Sequence, residues 1–160
     1  MHDQSQAAPG AALPRRSALE DQRFWQAIDA GQLLLARCAC GQHYVRAQAC
    51  LVCGAAASSH AWVPASGQGV VQSFIVFDKP YHAWFADRLP YLVAVVRLEE
   101  GPELLTNLVD IAPEEAAIGL RVTMRIAERD GQKIHQASAR SAGPRIAQNS
   151  AAVGGSSPEP

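Results

Sequence analysis

The chain has 160 residues, room for one domain or two very small ones. Hydrophobic residues make up 48% and charged residues 18%, with a net charge of −1, a balance that argues against an electrostatically driven nucleic-acid binder. The longest apolar run, near 91–96, falls far short of a membrane span, and the first 16 residues lack the basic start and apolar stretch of a secretory signal, so the expected location is cytoplasmic.

Residues 1–16 are rich in Ala, Gln, Pro and Gly without periodicity and read as a disordered tail; 141–160, with its Gly-Gly-Ser-Ser run and Pro-Glu-Pro end, reads the same way. A helix is expected to begin near Ser17, which forms a capping-box pattern with Glu20. Leu19, Phe24, Trp25 and Ile28 follow at near-helical spacing, and Gly31 stops the helix. Leu33–Leu35 then forms a short strand leading into the cysteines, and 55–59 is a connector.

Past residue 60 the period changes to that of strands. Segments rich in β-branched and aromatic residues occur at 69–77, 91–98, 103–111, 121–127 and 132–137. Glu99-Glu100-Gly101-Pro102 and Asp130-Gly131 punctuate them as turns, and Glu99 and Glu100 are expected to be solvated there. Pro113-Glu114-Glu115 opens a short helix that Gly119 closes. The fold expected is mainly β: an N-terminal helix, a rubredoxin-like zinc ribbon, then a five-stranded OB-fold barrel, with an SH3-like barrel as competitor. The domain boundaries are 1–16 tail, 17–59 helix and ribbon, 60–140 barrel and 141–160 tail.

All four cysteines, Cys38, Cys40, Cys50 and Cys53, fall within sixteen residues. With no sign of export, clustered thiols read as a metal site rather than as disulfides. Cys50-Leu51-Val52-Cys53-Gly54 is a knuckle in which two thiolates grip one ion and the glycine accepts a positive φ. Cys38-Ala39-Cys40-Gly41 is a version one residue shorter, which strains simultaneous binding and leaves His43 as an alternative ligand. Structural Zn2+ is the expected metal and iron the alternative.

Elsewhere no nucleophile elbow, P-loop or dinucleotide fingerprint appears. Ser73 and Thr106 read as outward-facing strand positions, and His135 as a surface or packing residue on the last strand. Residues 78–90 are unusual for a loop in carrying Tyr81, Trp84 and Phe85, flanked by Lys79 and Arg88. Such a loop either plugs the barrel's end or forms a contact for a partner or ligand; Trp84 and Phe85 are neighbours, so the two are not both expected to point inward. Residues 61–140 hold eight Lys or Arg against ten Asp or Glu, which removes the usual drive for nucleic-acid binding by an OB barrel.

The order of features resembles the DUF35 family of zinc-ribbon OB-fold proteins: Phe24-Trp25 in a leading helix, Gly31-Gln32-Leu33-Leu34-Leu35, the cysteine ribbon, then Gly67-Gln68-Gly69-Val70-Val71-Gln72-Ser73-Phe74. Leu89-Pro90-Tyr91, Glu100-Gly101-Pro102, Leu104-Leu105-Thr106-Asn107-Leu108-Val109 and Ile118-Gly119-Leu120 continue it in sequence, over roughly 17–137. The family pattern has two Cys-x-x-Cys knuckles and a proline-rich run before the third cysteine; here the first knuckle is a residue short and Tyr44-Val45-Arg46-Ala47 stands in for that run. The resemblance implies a non-catalytic accessory subunit of a thiolase-type enzyme, or alternatively of an acyl-CoA hydratase- or aldolase-type complex in steroid or aromatic degradation. The partner would supply the catalytic groups, and this chain would organise the complex and shape the coenzyme A thioester site, with Lys79, Tyr81, Trp84, Phe85 and Arg88 as contacts. A free-standing ligand- or single-strand-binding OB protein is the remaining alternative.

Overall fold

The computed structural model describes residues 19–139. The expected tails and Ser17 of the expected capping box lie outside them. Helix α1 runs Leu19–Asp29 and ends in a turn closed by two bonds, Gly31 N–H to the Ile28 carbonyl (2.9 Å) and Gln32 N–H to the Ala27 carbonyl (2.8 Å). That paired closure needs a left-handed residue, and Gly31 supplies it with φ of 79°. Among the described residues no helix is long and apolar enough to cross a membrane.

Two sheets follow. The first has three short strands in the order β2-β1-β3: β1 Leu34–Arg37, β2 His43–Tyr44 and β3 Ala61–Pro64. The ribbon's sheet therefore draws a strand from beyond residue 59. The second is a closed barrel, β4 Gln68–Phe77, β5 Tyr91–Leu98, β6 Glu103–Val109, β7 Arg121–Arg129 and β8 Gln132–Ala139, in the order β4-β5-β6-β8-β7. Strand β8 inserts between β6 and β7 and runs parallel to β6, while β7 closes onto β4. This is the OB arrangement, and the SH3-like alternative falls away. The helix expected after Pro113 is a single 3-10 turn, Pro113–Glu115.

Period-2 alternation builds the barrel core. In β5, Leu92, Ala94, Val96 and Leu98 point inward and are buried. Gly69 lies where β4 meets β5, and a Cβ there would stand 2.6 Å from the Val96 Cγ1 and 2.8 Å from the Arg97 carbonyl oxygen. No side chain fits that approach. The β7–β8 hairpin turns at Asp130-Gly131, with φ of 50° and 73°, as a two-residue turn with both central residues left-handed requires.

The core does not stop at the barrel. Phe24 and Ile28 of α1 and Leu35 of β1 belong to the same buried cluster as Val71, Val96 and Val122. The helix lies against β8, where Trp25 stacks on His135 (5.8 Å between centroids) and Phe24 meets the same ring edge-on at 5.5 Å. Thr106, expected to face outward, is buried; its hydroxyl donates to the His135 carbonyl at 3.0 Å and lies 3.0 Å from the ring Nδ1. Since the hydroxyl has one proton, already given to the carbonyl, Nδ1 is the donor in the second contact. Glu100, expected to be solvated, accepts a hydrogen bond from Ser66 N–H and so ties the β5–β6 turn to the segment entering β4.

Candidate metal centre

Cys38 follows directly from β1, and Gly41 (φ 95°) folds the chain back, with the Gly41 N–H donating to the Cys38 carbonyl at 2.9 Å. Cys50 opens the second knuckle, which closes with Gly54 N–H to the Cys50 carbonyl at 2.9 Å and Gly54 at φ 73°. Both turns close from a left-handed glycine N–H onto the first cysteine's carbonyl, the first over three residues and the second over four. The four sulfurs converge: all lie within 4.8 Å of one another, with Cys38–Cys53 and Cys40–Cys50 each 3.5 Å apart. A tetrahedron of thiolates around zinc at 2.3 Å has sulfurs about 3.8 Å apart, so the set fits one ion. It offers no disulfide, since S–S bonding needs about 2.05 Å. Cys38 and Cys50 are buried and Cys40 and Cys53 exposed, so one side of the cluster faces outward. His43 sits on β2 opposite Arg37 and is not among the converging groups.

The metal-free thiols are not equivalent. The Tyr44 hydroxyl donates to Cys50 Sγ at 3.3 Å and, with the Cys53 and Val52 N–H groups, brings the Cys50 thiol down to about 5. At Cys38 the Cys40 N–H acts in the same direction, but burial and the neighbouring sulfurs outweigh it and push the thiol up to about 12. At Cys53 the Ala55 N–H lowers and the Cys50 sulfur raises, leaving the thiol above its ordinary value. At neutral pH Cys50 is therefore already a thiolate while Cys38 and Cys53 still hold protons that a bound metal must displace. Zinc affinity is expected to rise with pH between 6 and 8, by about tenfold per unit for each proton displaced, Cys38 and Cys53 alone giving about a hundredfold. Below about pH 5, where Cys50 also protonates, the slope steepens. Competition against a chelator at pH 6, 7 and 8 measures the slope; a flat profile would contradict this picture of the thiols.

The aromatic loop is divided by residue, with Trp84 buried and Tyr81 exposed. Trp84, in a 3-10 turn at Ala83–Phe85, is 4% exposed and lies under Arg129, whose guanidinium carbon is 5.1 Å from the ring centroid. Buried under Arg129, it leaves little surface for the contact expected at this residue. Arg129 also pairs with Asp87 (2.6 Å) and Asp130 (3.3 Å), binding the 78–90 loop to the β7–β8 turn and holding the Asp87 carboxyl below its usual range. Phe85 is half-buried and stacks on Tyr91 at 4.2 Å; Tyr91 in turn stacks on Phe77 at 5.0 Å, and Tyr81 meets Phe77 edge-on at 5.3 Å. Tyr81 is 75% exposed, and Lys79 and Arg88 of the same loop are exposed as well.

Residues 62–127 match the family model described as ChsH2, C-terminal OB-fold domain. The chain is 38% identical over 133 residues to a Thermomonospora curvata protein named "Probable enoyl-CoA hydratase alpha subunit", covering 80% of this chain and 40% of that protein. It is 41% identical over 59 residues to a DUF35 domain-containing scaffold protein of Methanothermobacter thermautotrophicus, covering 37% of this chain and 44% of that one. The chain thus spans less than half the length of these curated relatives. Among solved structures it resembles a chain of the Ltp2-ChsH2(DUF35) aldolase, with a TM-score of 0.69, 32% identity, and coverage of 78% of this chain and 98% of that chain.

Proposed function

The chain belongs to the DUF35 family, and on that premise we propose that it is a non-catalytic, metal-clamped accessory subunit of an acyl-CoA-processing complex. The observation that carries this reading is the likeness to a chain of an aldolase assembly along 98% of that chain's length. The relatives' names give a hydratase subunit and an aldolase, so a partner of hydratase or aldolase type is favoured over the thiolase type that the resemblance first implied.

In this reading Cys38, Cys40, Cys50 and Cys53 hold a structural zinc ion, which supplies a clamp and no chemistry on substrate. The ribbon and α1 share the barrel's core, so whatever the ribbon docks on is held at a fixed angle to the barrel. Tyr81, Lys79, Arg88 and the open edge of Phe85 face outward on a loop anchored from below by Trp84 and Arg129. An anchored aromatic flanked by two cations suits a partner's surface or the phosphates of a coenzyme A arm.

The test is purification of the tagged chain from its native host. A hydratase- or aldolase-type acyl-CoA enzyme is expected to co-elute in fixed ratio, to lose turnover when this chain is withdrawn and to regain it on adding the chain back. The isolated chain is expected to leave thioesters intact. Enzymic turnover by the chain alone would overturn the proposal. So would a chain that elutes by itself and binds single-stranded oligonucleotide with a steep salt dependence.

A further inference from the structure

We propose that Tyr44 is a positioning residue of the metal centre, its hydroxyl steering Cys50 Sγ and its ring held in place by His60. The inference rests on the reading of the four cysteines as a metal site.

Tyr44 has its backbone in one knuckle's framework and its side chain in the other's. It lies on β2 in register with Ala36 of β1, the strand that delivers Cys38. Its hydroxyl reaches across to the second knuckle, accepting from the Leu51 N–H at 3.0 Å and donating to Cys50 Sγ at 3.3 Å. A phenol has one proton, so taking the Leu51 bond as acceptor aims that proton at the sulfur.

His60 supplies the backing. It is buried and its ring stacks on that of Tyr44 at 5.7 Å and 20° between planes. Neither ring nitrogen has a hydrogen-bond partner, so what His60 contributes here is the face of its ring. Four thiolates around a divalent ion carry a net charge of −2, and a donor aimed at one sulfur stabilises that charge and fixes the ligand's direction. The first knuckle is a residue short, so a side chain that ties the second knuckle to β2 keeps the two pairs of sulfurs in register.

The experiment uses the full chain with zinc and with Co2+ as the spectroscopic probe. Tyr44→Phe keeps the ring and its stack but loses the hydroxyl. It is expected to bind zinc about 10- to 100-fold more weakly, and to shift the thiolate-to-cobalt absorption, with the near-ultraviolet signal of the barrel unchanged. His60→Ala is expected to weaken zinc binding in the same direction and His60→Phe to restore it; this pair carries the test if Tyr44→Phe does not fold. Zinc affinity within twofold of wild type and an unshifted cobalt spectrum in Tyr44→Phe would overturn the proposal, as would wild-type affinity in His60→Ala. A wild-type chain that takes up neither metal would remove the metal site itself, an outcome distinct from failure of the tyrosine's role.

Discussion

Replacing Cys50 by serine is expected to abolish stoichiometric zinc binding and to unfold the ribbon. Cys50 is buried, receives the Tyr44 hydroxyl, and lies 3.5 Å from Cys40 across the two knuckles. Beyond β1, whose Leu35 reaches into the shared core, the ribbon has little else to hold it. Its sheet consists of strands of four, two and four residues, and the tip of the second knuckle, Leu51 and Val52, is exposed. A piece of this size has no core of its own, and a structural zinc site contributes roughly 10 kcal/mol in comparable peptides. A loss of even a few kcal/mol would lower the melting temperature by about 10 °C or more for a chain of this length. Elemental analysis should fall from about one zinc per chain to near zero, and amide exchange should accelerate across 34–64. A Cys50→Ser chain that kept its zinc and its melting temperature would refute the four-cysteine clamp. Retention of zinc there combined with its loss in His43→Ala would hand the fourth position to His43.

Leu35→Ala is expected to destabilise the whole protein by about 2–5 kcal/mol. Leu35 is on the ribbon's β1, is fully buried, and belongs to the cluster that includes Val71, Val96 and Val122 of the barrel. Truncating it opens a cavity where ribbon, helix and barrel meet, with little freedom for the closed barrel to collapse inward. Denaturant titration should show one transition at lower midpoint with an unchanged slope. Leu51→Ala, at a side chain 83% exposed, is the control and should stay within about 0.5 kcal/mol of wild type. If Leu35→Ala cost under about 1 kcal/mol, or split the transition in two, ribbon and barrel would be independent units.

The sequence made the barrel strands legible because each one alternates. The β5 segment, expected at 91–98, has those bounds in the structure, and β4 and β8 differ by one residue and two. Strand β6 stops at Val109, short of the expected Ile111, because Asp110 takes a φ of 59°. Strands β2 and β3 were not legible. One has two residues, the other contains Trp62 and ends in Pro64, and both exist by virtue of pairing with β1, whose partner residues lie up to 30 positions away (Leu34 with Pro64). The parallel pairing of β6 with β8 leaves no trace in either strand's pattern. For the site, spacing alone brought the four cysteines together on paper, and the folded chain brings their sulfurs within 4.8 Å. The roles of Tyr44 and His60 had no local signal, since a tyrosine between knuckles reads the same whether its hydroxyl meets water or sulfur. The split between Trp84 and Phe85 was foreseen as a consequence of adjacency, but which of them turns inward depends on Arg129, 45 residues further on.

Closing the ring through β4 and β7 gives every barrel strand a neighbour on both sides over part of its length, but the seam joins only residues 68–70 of β4 to 121–123 of β7. The outer strands of the three-stranded sheet offer little more edge, being two and four residues long, the longer one capped by a proline. Recruitment of a second polypeptide by backbone zippering is thus limited to short stretches. Recognition is left to side-chain relief, which loops such as 78–90 can change by substitution while the cylinder beneath them stays as it is.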